Sequence, residues 1–402
     1  MENQISVEHG QQLLLEHAAP PSEIEQLPVS EALGRVLWEP AKARIDQPPF
    51  NRSPLDGYAL RHSDVQAASR AHPAVLSVCR AIYAGDPPGP PLSPGTAARI
   101  MTGAPIPEGA TCVIRQEATA EQDGVVQVFT SLSEHENFCF QGEDVKRGTM
   151  LIPAGQRLGA AHIGVLAGQG YNSVRVYRRP RVYILSTGSE LAVPGSSLSP
   201  GKIYESNRAA LSARSTELGA QVLPGASVVD DPERIAASLS GILPACDLLV
   251  TTGGVSVGER DYLPEVASRI GSSVLFKGVA AKPGGPVMAL TLSGKLLLCL
   301  SGNPFAAWTT FELLAVPVIR RLAGEREVIP RRVRGVLDSP FPKASSGRRF
   351  VRARIEGGTV FVAAGGHGSG MLSGLVGCNC LLDIPAGSGA LAAGDPVEAL
   401  LF

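Results

Sequence analysis

No stretch of this sequence reaches the ~18 consecutive apolar residues that a membrane-spanning helix needs, so none is expected. Met1 to Gly10 is polar and has no signal-peptide core. Charge of either sign is not in excess: the formal net charge is −1, which gives no global reason to expect nucleic acid or a membrane surface as partner. The seven cysteines are an odd number and form no Cys-x-x-Cys pair. That argues against a disulfide framework or a zinc ribbon and for a reducing, cytoplasmic setting. Cys378 and Cys380 read as buried thiols on one strand face. No Gly-x-x-x-x-Gly-Lys-[Ser/Thr] or Gly-x-Gly-x-x-Gly stretch is found, and the seven histidines do not pair at metal-ligand spacing.

What is abundant is turn chemistry: 45 Gly and 32 Pro fall mostly between short strands. A length of 402 residues suggests two to four domains, and 44% hydrophobic content suits sizeable cores. Ser6 to Ala18 reads as a short amphipathic helix, and Ser30 to Leu37 as a second. Asp46 to Tyr58 carries three prolines and reads as an extended loop with an Asp56-Gly57 turn. Residues 72–145 read as a compact all-β unit. Ala160 to Ala167 is a short apolar helix and Ser173 to Tyr177 a strand. From Pro180 strands and helices alternate, which predicts a mostly parallel, three-layer α/β domain. Here Ser206 is the expected N-cap of a helix over 207–218, Asp231-Pro232 opens another, and a helix from Pro304 kinks near Pro317. The chain from Val328 on reads as a small β-barrel or sandwich. Its eight Lys/Arg face five acids, a solvated surface or a basic wall beside an anion. The fold class is thus α/β plus β, multidomain.

Thr251 to Asp261 is the stretch that organises the chain. The strand-like Asp247-Leu248-Leu249-Val250 runs into Gly253, Gly254, Ser256 and Gly258, and a helical pattern follows. In open α/β sheets ligands gather at such strand ends. Glycines let backbone N–H groups approach an anion, so a phosphate or polyanion site is expected here. Carboxylates Asp56, Asp144, Glu190 and Asp261 stand at loop ends, with Asp230 a fifth. Acids converging on one pocket would suit Mg²⁺, which takes carboxylates, water and phosphate oxygens.

Several stretches together carry a family resemblance. They are Ser53-Pro54-Leu55-Asp56-Gly57-Tyr58-Ala59, Met101-Thr102-Gly103-Ala104-Pro105, Gly142-Glu143-Asp144 and Ser186-Thr187-Gly188-Ser189-Glu190-Leu191. To these add Ile203-Tyr204-Glu205-Ser206-Asn207-Arg208, Thr252 to Gly258, Asp261, Lys282-Pro283-Gly284, Gly302-Asn303-Pro304 and Gly366-His367-Gly368-Ser369. In this order and spacing the chain resembles the molybdopterin molybdenumtransferases, the MoeA and gephyrin E-domain family, over almost its whole length.

The resemblance implies a four-domain, elongated homodimer. Residues 1–45 with 147–178 would form a helical dimer domain, its interface motivated by Leu13, Leu14, Leu15, Ile163 and Leu166. Residues 46–146 would form an inserted β domain, 179–326 a domain like the molybdopterin adenylyltransferases, and 327–402 a C-terminal β domain. It implies adenylylated molybdopterin and molybdate as substrates, Mg²⁺ as cofactor and AMP as product. Further implied partners are a molybdopterin adenylyltransferase and the enzymes that accept the cofactor. Asp56, Thr102, Asp144, Glu190 and Asp261 would be catalytic, with Glu190 and Asp261 on the metal. Gly253, Gly254, Ser256, Gly258, Asp230, Lys277, Lys282, Pro283, Gly302, Asn303, Pro304 and Ser369 would bind substrate. In the family the cleft joins two domains of different subunits.

The chain departs from the family in places. The Pro-Gly-Lys-Pro form is Pro283-Gly284-Gly285-Pro286, and the lysine expected four residues before Lys282 is Gly278, with Lys277 beside it. Pro-Gly-Asn-Pro is Ser301-Gly302-Asn303-Pro304. Oxyanion capture is therefore expected to lean on Lys277, Lys282, Ser369 and the C-terminal arginines. A molybdopterin-binding scaffold without turnover and a tungstate-inserting enzyme are the alternatives.

Overall fold

The computed structural model describes residues 2–255 and 262–402. The chain divides into two compact units, one of residues 1–39, 154–163 and 172–402, the other of 40–153 and 164–171.

The first unit is built on a mixed sheet, eight-stranded among the described residues. Its order is Glu2–Ile5, Ser273–Val279, Met288–Leu292, Lys295–Leu300, Leu248–Thr252, Arg181–Thr187 and Gln221–Val222, with Ser227–Val228 also on Arg181–Thr187. Lys295–Leu300, Leu248–Thr252 and Arg181–Thr187 run parallel and in register, Val182 beside Leu248 and Leu248 beside Leu296. These strands read as unbroken apolar runs because both faces are covered. Val182, Ile184, Leu248, Val250, Leu296 and Leu298 point into a core shared with Val7–Glu16 and the chain from Pro304 to Leu322. The alternate residues Tyr183, Leu185, Leu249, Leu297 and Cys299 pack on the other side, against Ile235, Leu239, Leu263 and Val266. This gives the three layers expected from the alternation of strands and helices.

Two local readings are corrected. Ser30 to Leu37 is not a helix: only Val29–Glu31 makes a single 3₁₀ turn. Gly34 turns the chain at positive φ, and the N–H groups of Gly34 and Leu37 donate to Leu158 O and Gln156 O instead. Ser206 makes no side-chain cap on the helix Asn207–Glu217. Glu205 takes that place, accepting from Arg208 N at 2.6 Å. Pro317 is accommodated by a π-helical turn, Phe311–Ala315, between the helices Pro304–Thr310 and Val316–Leu322. A proline cannot donate to the carbonyl four residues back. That carbonyl, Leu313 O, accepts from the buried Gln11 Nε2 at 2.8 Å.

Arg332–Leu337, Arg349–Glu356, Thr359–Val362, Cys380–Ile384 and Pro396–Leu401 close into a barrel filled by Val351, Ala353, Val360, Leu382 and Ala399. Cys380 is buried in its strand, while Cys378 lies in the preceding loop, its thiol 3.1 Å from Gly374 O.

The second unit carries a six-stranded sheet in the order Cys112–Arg115, Gly57–Leu60, Thr96–Ile100, Ala74–Ile82, Val125–Val128, Thr119–Gln122. Alternation again splits its core: Tyr58, Leu60 and Ile114 on one face, Ala59, Ile100 and Val113 on the other. The prolines before Asp56 hid the Gly57–Leu60 strand from sequence reasoning. Only glycine fits at 57, because a Cβ there would lie 1.8 Å from Ile114 O.

Candidate functional site

In the first unit the carboxyl ends of the parallel strands open on a cleft of about 760 Å³. Its floor is a buried relay. Thr252 Oγ1 lies 3.2 Å from Ser186 Oγ, and Ser186 Oγ donates to Glu205 Oε1 at 2.9 Å. Glu205 is only 3% exposed yet reaches the cleft wall. The same carboxylate holds Arg208 N, so the floor and the first turn of Asn207–Glu217 are fixed together. Sequence reasoning placed Glu205 in a motif and gave it no role. The signal available was an acid directly before a helix start, where a carboxylate can cap.

The walls hold six of the ten substrate-binding residues expected in this unit that lie among the described residues, and Glu190 with them. Glu190, Lys282, Pro283, Gly302, Asn303, Pro304 and Ser369 all line the cleft. Glu190 is exposed on the loop that follows Arg181–Thr187. Asp230 does not line the cleft; its carboxylate accepts from Ser189 N at 3.0 Å and so steadies the Glu190 loop. Asn207 Nδ2 donates to Gly302 O at 2.8 Å, which ties the Ser301–Asn303 turn to the opposite wall. Gly253, at positive φ, packs where a Cβ would stand 2.4 Å from Thr187 O, and its N–H donates to Leu300 O. Gly254 is half-buried beside it. Ser256, Gly258 and Asp261 lie outside the described residues.

Ser369 reaches the cleft from the barrel side. Its carbonyl accepts from Phe305 N at 2.8 Å and Ala306 N at 3.3 Å, the first free donors of the Pro304 helix. Arg352 pins the same loop. It is 1% exposed, donates to Met371 O and to Gly366 O, and lies over the Phe305 ring at 4.5 Å. His367 in that loop stacks edge-on to Phe341 at 5.5 Å. Burial pushes its imidazole below the usual range, and Arg352, Lys343 and Arg349 push it further.

Two expectations about charge are corrected. Lys277 pairs with Asn3 and Met288 inside the sheet and does not line the cleft. The C-terminal arginines do not line it either. Arg348 and Arg332 are spent on Asp383, Arg348 also reaches Glu8, and Arg352 is spent on loop carbonyls. Among the described residues Lys282 is the one cation on the cleft wall.

The second unit holds its own share of the expected residues. Asp56 is exposed, and one oxygen accepts from both Thr102 N and Thr102 Oγ1 at 2.7 Å. These bonds, the backbone one foremost, hold its carboxyl below the usual range. Asp144 is exposed, with its N–H on Gln47 O at 3.0 Å. Asp46 joins these loops, accepting from Arg147 N and Gln141 Nε2, both at 2.8 Å.

Family models match nearly the whole chain. The MoeA N-terminal region (domain I and II) matches residues 5–170, a probable molybdopterin binding domain 183–321, and the MoeA C-terminal region (domain IV) 334–402. Molybdopterin molybdenumtransferase of Staphylococcus epidermidis is 36% identical over 376 residues, which is 93% of this chain and 90% of that protein. The Staphylococcus aureus protein of the same name is 35% identical over the same share. The crystal structure of the molybdopterin biosynthesis moeA protein from Pyrococcus horikoshii is similar with a TM-score of 0.87 and 29% identity, over 99% of this chain and 100% of that one. On identity, coverage and fold alike, this chain belongs to the molybdopterin molybdenumtransferase family.

Proposed function

We propose that the protein transfers molybdenum: it takes adenylylated molybdopterin and molybdate, releases AMP and leaves molybdenum on the dithiolene. The observation that carries this reading is the strand-end cleft, whose wall gathers Glu190, Lys282, Asn303 and Ser369 in a member of that family. A cleft of this size suits a pterin-sized ligand. In the reaction water adds to the adenylyl phosphorus as the bond to the molybdopterin phosphate breaks. The Lys282 ammonium would offset oxyanion charge, and the Ser369, Ser301 and Asn303 side chains would orient the substrate. Asp56, Thr102 and Asp144 are proposed to serve the same reaction, Asp56 as a carboxylate kept ionised by Thr102.

Mg²⁺, the family's metal, usually takes one or two carboxylates with water and phosphate oxygens rather than an all-protein cage. The residues fit that habit. Glu190 offers an exposed carboxylate on the cleft wall. Glu190 and Asp261 would hold the ion, which when bound offsets phosphate charge. Gly254, half-buried beside Gly253, would let backbone approach the phosphate end.

Support for a second copy of the chain comes from the helix Ala160–Gly168. It is wholly apolar but for His162, and Val165 is 43% exposed. Leu14 and Leu166 are already buried within a single chain and add nothing to an interface. All seven cysteines are free, which suits a reducing compartment such as the cytoplasm. No helix among the described residues is long and apolar enough to cross a membrane. A scaffold role without turnover is less favoured, because the cleft keeps its acid and its lysine.

Glu190→Ala tests the assignment. AMP release from adenylylated molybdopterin with Mg²⁺ and molybdate should fall roughly 10²–10³-fold, the scale of losing one strong electrostatic contact. Unchanged release at saturating Mg²⁺ removes Glu190 from the site.

A further inference from the structure

Where the chain leaves the helix Val316–Leu322 for the barrel, arginines surround a second cavity that the transferase reading leaves unused. It measures about 620 Å³, and Arg157, Arg320, Arg326 and Arg331 line it, with Glu325 and Glu327 as the acids. Arg157 is spent on this frame. It donates to Gly34 O and Leu218 O, both at 2.7 Å, and to Glu325 Oε1 at 2.5 Å.

The other three arginines have no such partners. Among the described residues Arg320, Arg326 and Arg331 make no side-chain hydrogen bond and no ion pair. Arg320 is half-buried, with Arg157 and Arg214 as charged neighbours of its own sign. Burial holds its guanidinium below the ordinary value, with those two cations working against Glu325 and Glu312. Its place in the last turn of a helix favours a cation there but gives its N–H groups no acceptor. Arg326 is positioned by its stem rather than its charge. The stem crosses Gly155 so closely that a Cβ there would lie 2.5 Å from Arg326 Cγ, and Arg326 N donates to Gly155 O at 3.1 Å.

Three guanidinium groups therefore face one concave, polar space with a single unspent carboxylate, Glu327, among them. A planar guanidinium presents paired donors that match phosphate oxygens, and a half-buried one without an acceptor, such as Arg320, gains most from such a ligand. The volume lies in the range of small-molecule sites and exceeds what one inorganic phosphate fills. We propose that this cavity binds a multiply charged, phosphate-bearing small molecule, away from the strand-end cleft.

Diphosphate is the simplest probe, titrated calorimetrically into the full-length protein at fixed ionic strength. Saturable binding is expected, surviving Lys282→Ala and weakening at least about tenfold in Arg326→Met and in Arg331→Met. Both arginines are exposed, so these variants keep the test independent of folding, which Arg320→Met need not. Sulfate should bind more weakly than diphosphate. No saturable binding, undiminished affinity in both exposed variants, loss of all binding in Lys282→Ala, or equal affinity for sulfate overturns the proposal. The readout is binding alone and does not depend on transferase turnover.

Discussion

At the scale of single residues, the two lysines replaced by glycine differ in kind. Gly278 sits at φ +77°, a conformation in which an L side chain is strained, so a lysine cannot simply be returned there. Gly285 has ordinary φ, and a Cβ would meet Ala281 O at 3.2 Å and Val279 O at 3.5 Å, a fit that needs a few tenths of an ångström of give. With Lys282 the one cation on the cleft wall among the described residues, Lys282→Ala should raise the molybdate concentration for half-maximal transfer by about tenfold or more. Gly285→Lys should lower it. A molybdate dependence unmoved by Gly285→Lys means that this position does not face the oxyanion. His367 gives a pH test. Its folded pKa is depressed, so the unfolded chain binds the proton more readily, and stability falls as pH drops below the unfolded value of about 6.5. Thermal melts from pH 7.5 to 5 should show a steeper loss for the native protein than for His367→Gln. Parallel curves would mean that the imidazole is not held neutral by its surroundings. These distinctions were not legible in the sequence. Counting arginines after Val328 gives a basic surface, and only the structure shows Arg332 and Arg348 committed to Asp383 and Arg352 committed to a loop. Lys282, Ser369 and Glu190, which stand in the family motifs, are expected site residues that do line the cleft.

At the scale of elements, the join between Val7–Glu16 and the π turn rests on one side chain. Gln11 is 6% exposed and satisfies the carbonyl that Pro317 leaves without a donor. Gln11→Leu keeps the bulk and removes the amide, leaving Leu313 O buried and unpaired. Such a group costs about 1–3 kcal/mol, so urea denaturation should move to lower midpoint with unchanged slope. An unmoved midpoint would mean that water or a local shift replaces the amide. That the helix must be irregular near Pro317 was legible, since a proline inside a helical pattern removes a donor. Its partner was not, because the contact joins residues 302 positions apart. The parallel strands were legible for a related reason: burial on both faces writes unbroken apolar runs. Glu2–Ile5 is polar and exposed along three of its four positions, and its pairing with Ser273–Val279 leaves no such trace.

At the scale of the whole molecule, the apolar helix Ala160–Gly168 is largely exposed in a single chain. Light scattering at micromolar concentration should give about twice 41.9 kDa, and Val165→Asp should reduce it toward the single-chain mass. A wild-type protein that scatters as a single chain would contradict the homodimer. The proposed domain limits, 1–45 with 147–178, 46–146, 179–326 and 327–402, can be probed by limited proteolysis, which should cut near 46, 146 and 327 before it cuts within the sheets. The most direct measurement is a single-turnover reaction of the purified protein with adenylylated molybdopterin, Mg²⁺ and molybdate, counting AMP released and molybdenum retained on the dithiolene. The account predicts one molybdenum retained for each AMP, with both slowed roughly 10²–10³-fold in Glu190→Ala. AMP release no greater than in a protein-free control, or AMP released with no molybdenum retained, would contradict it.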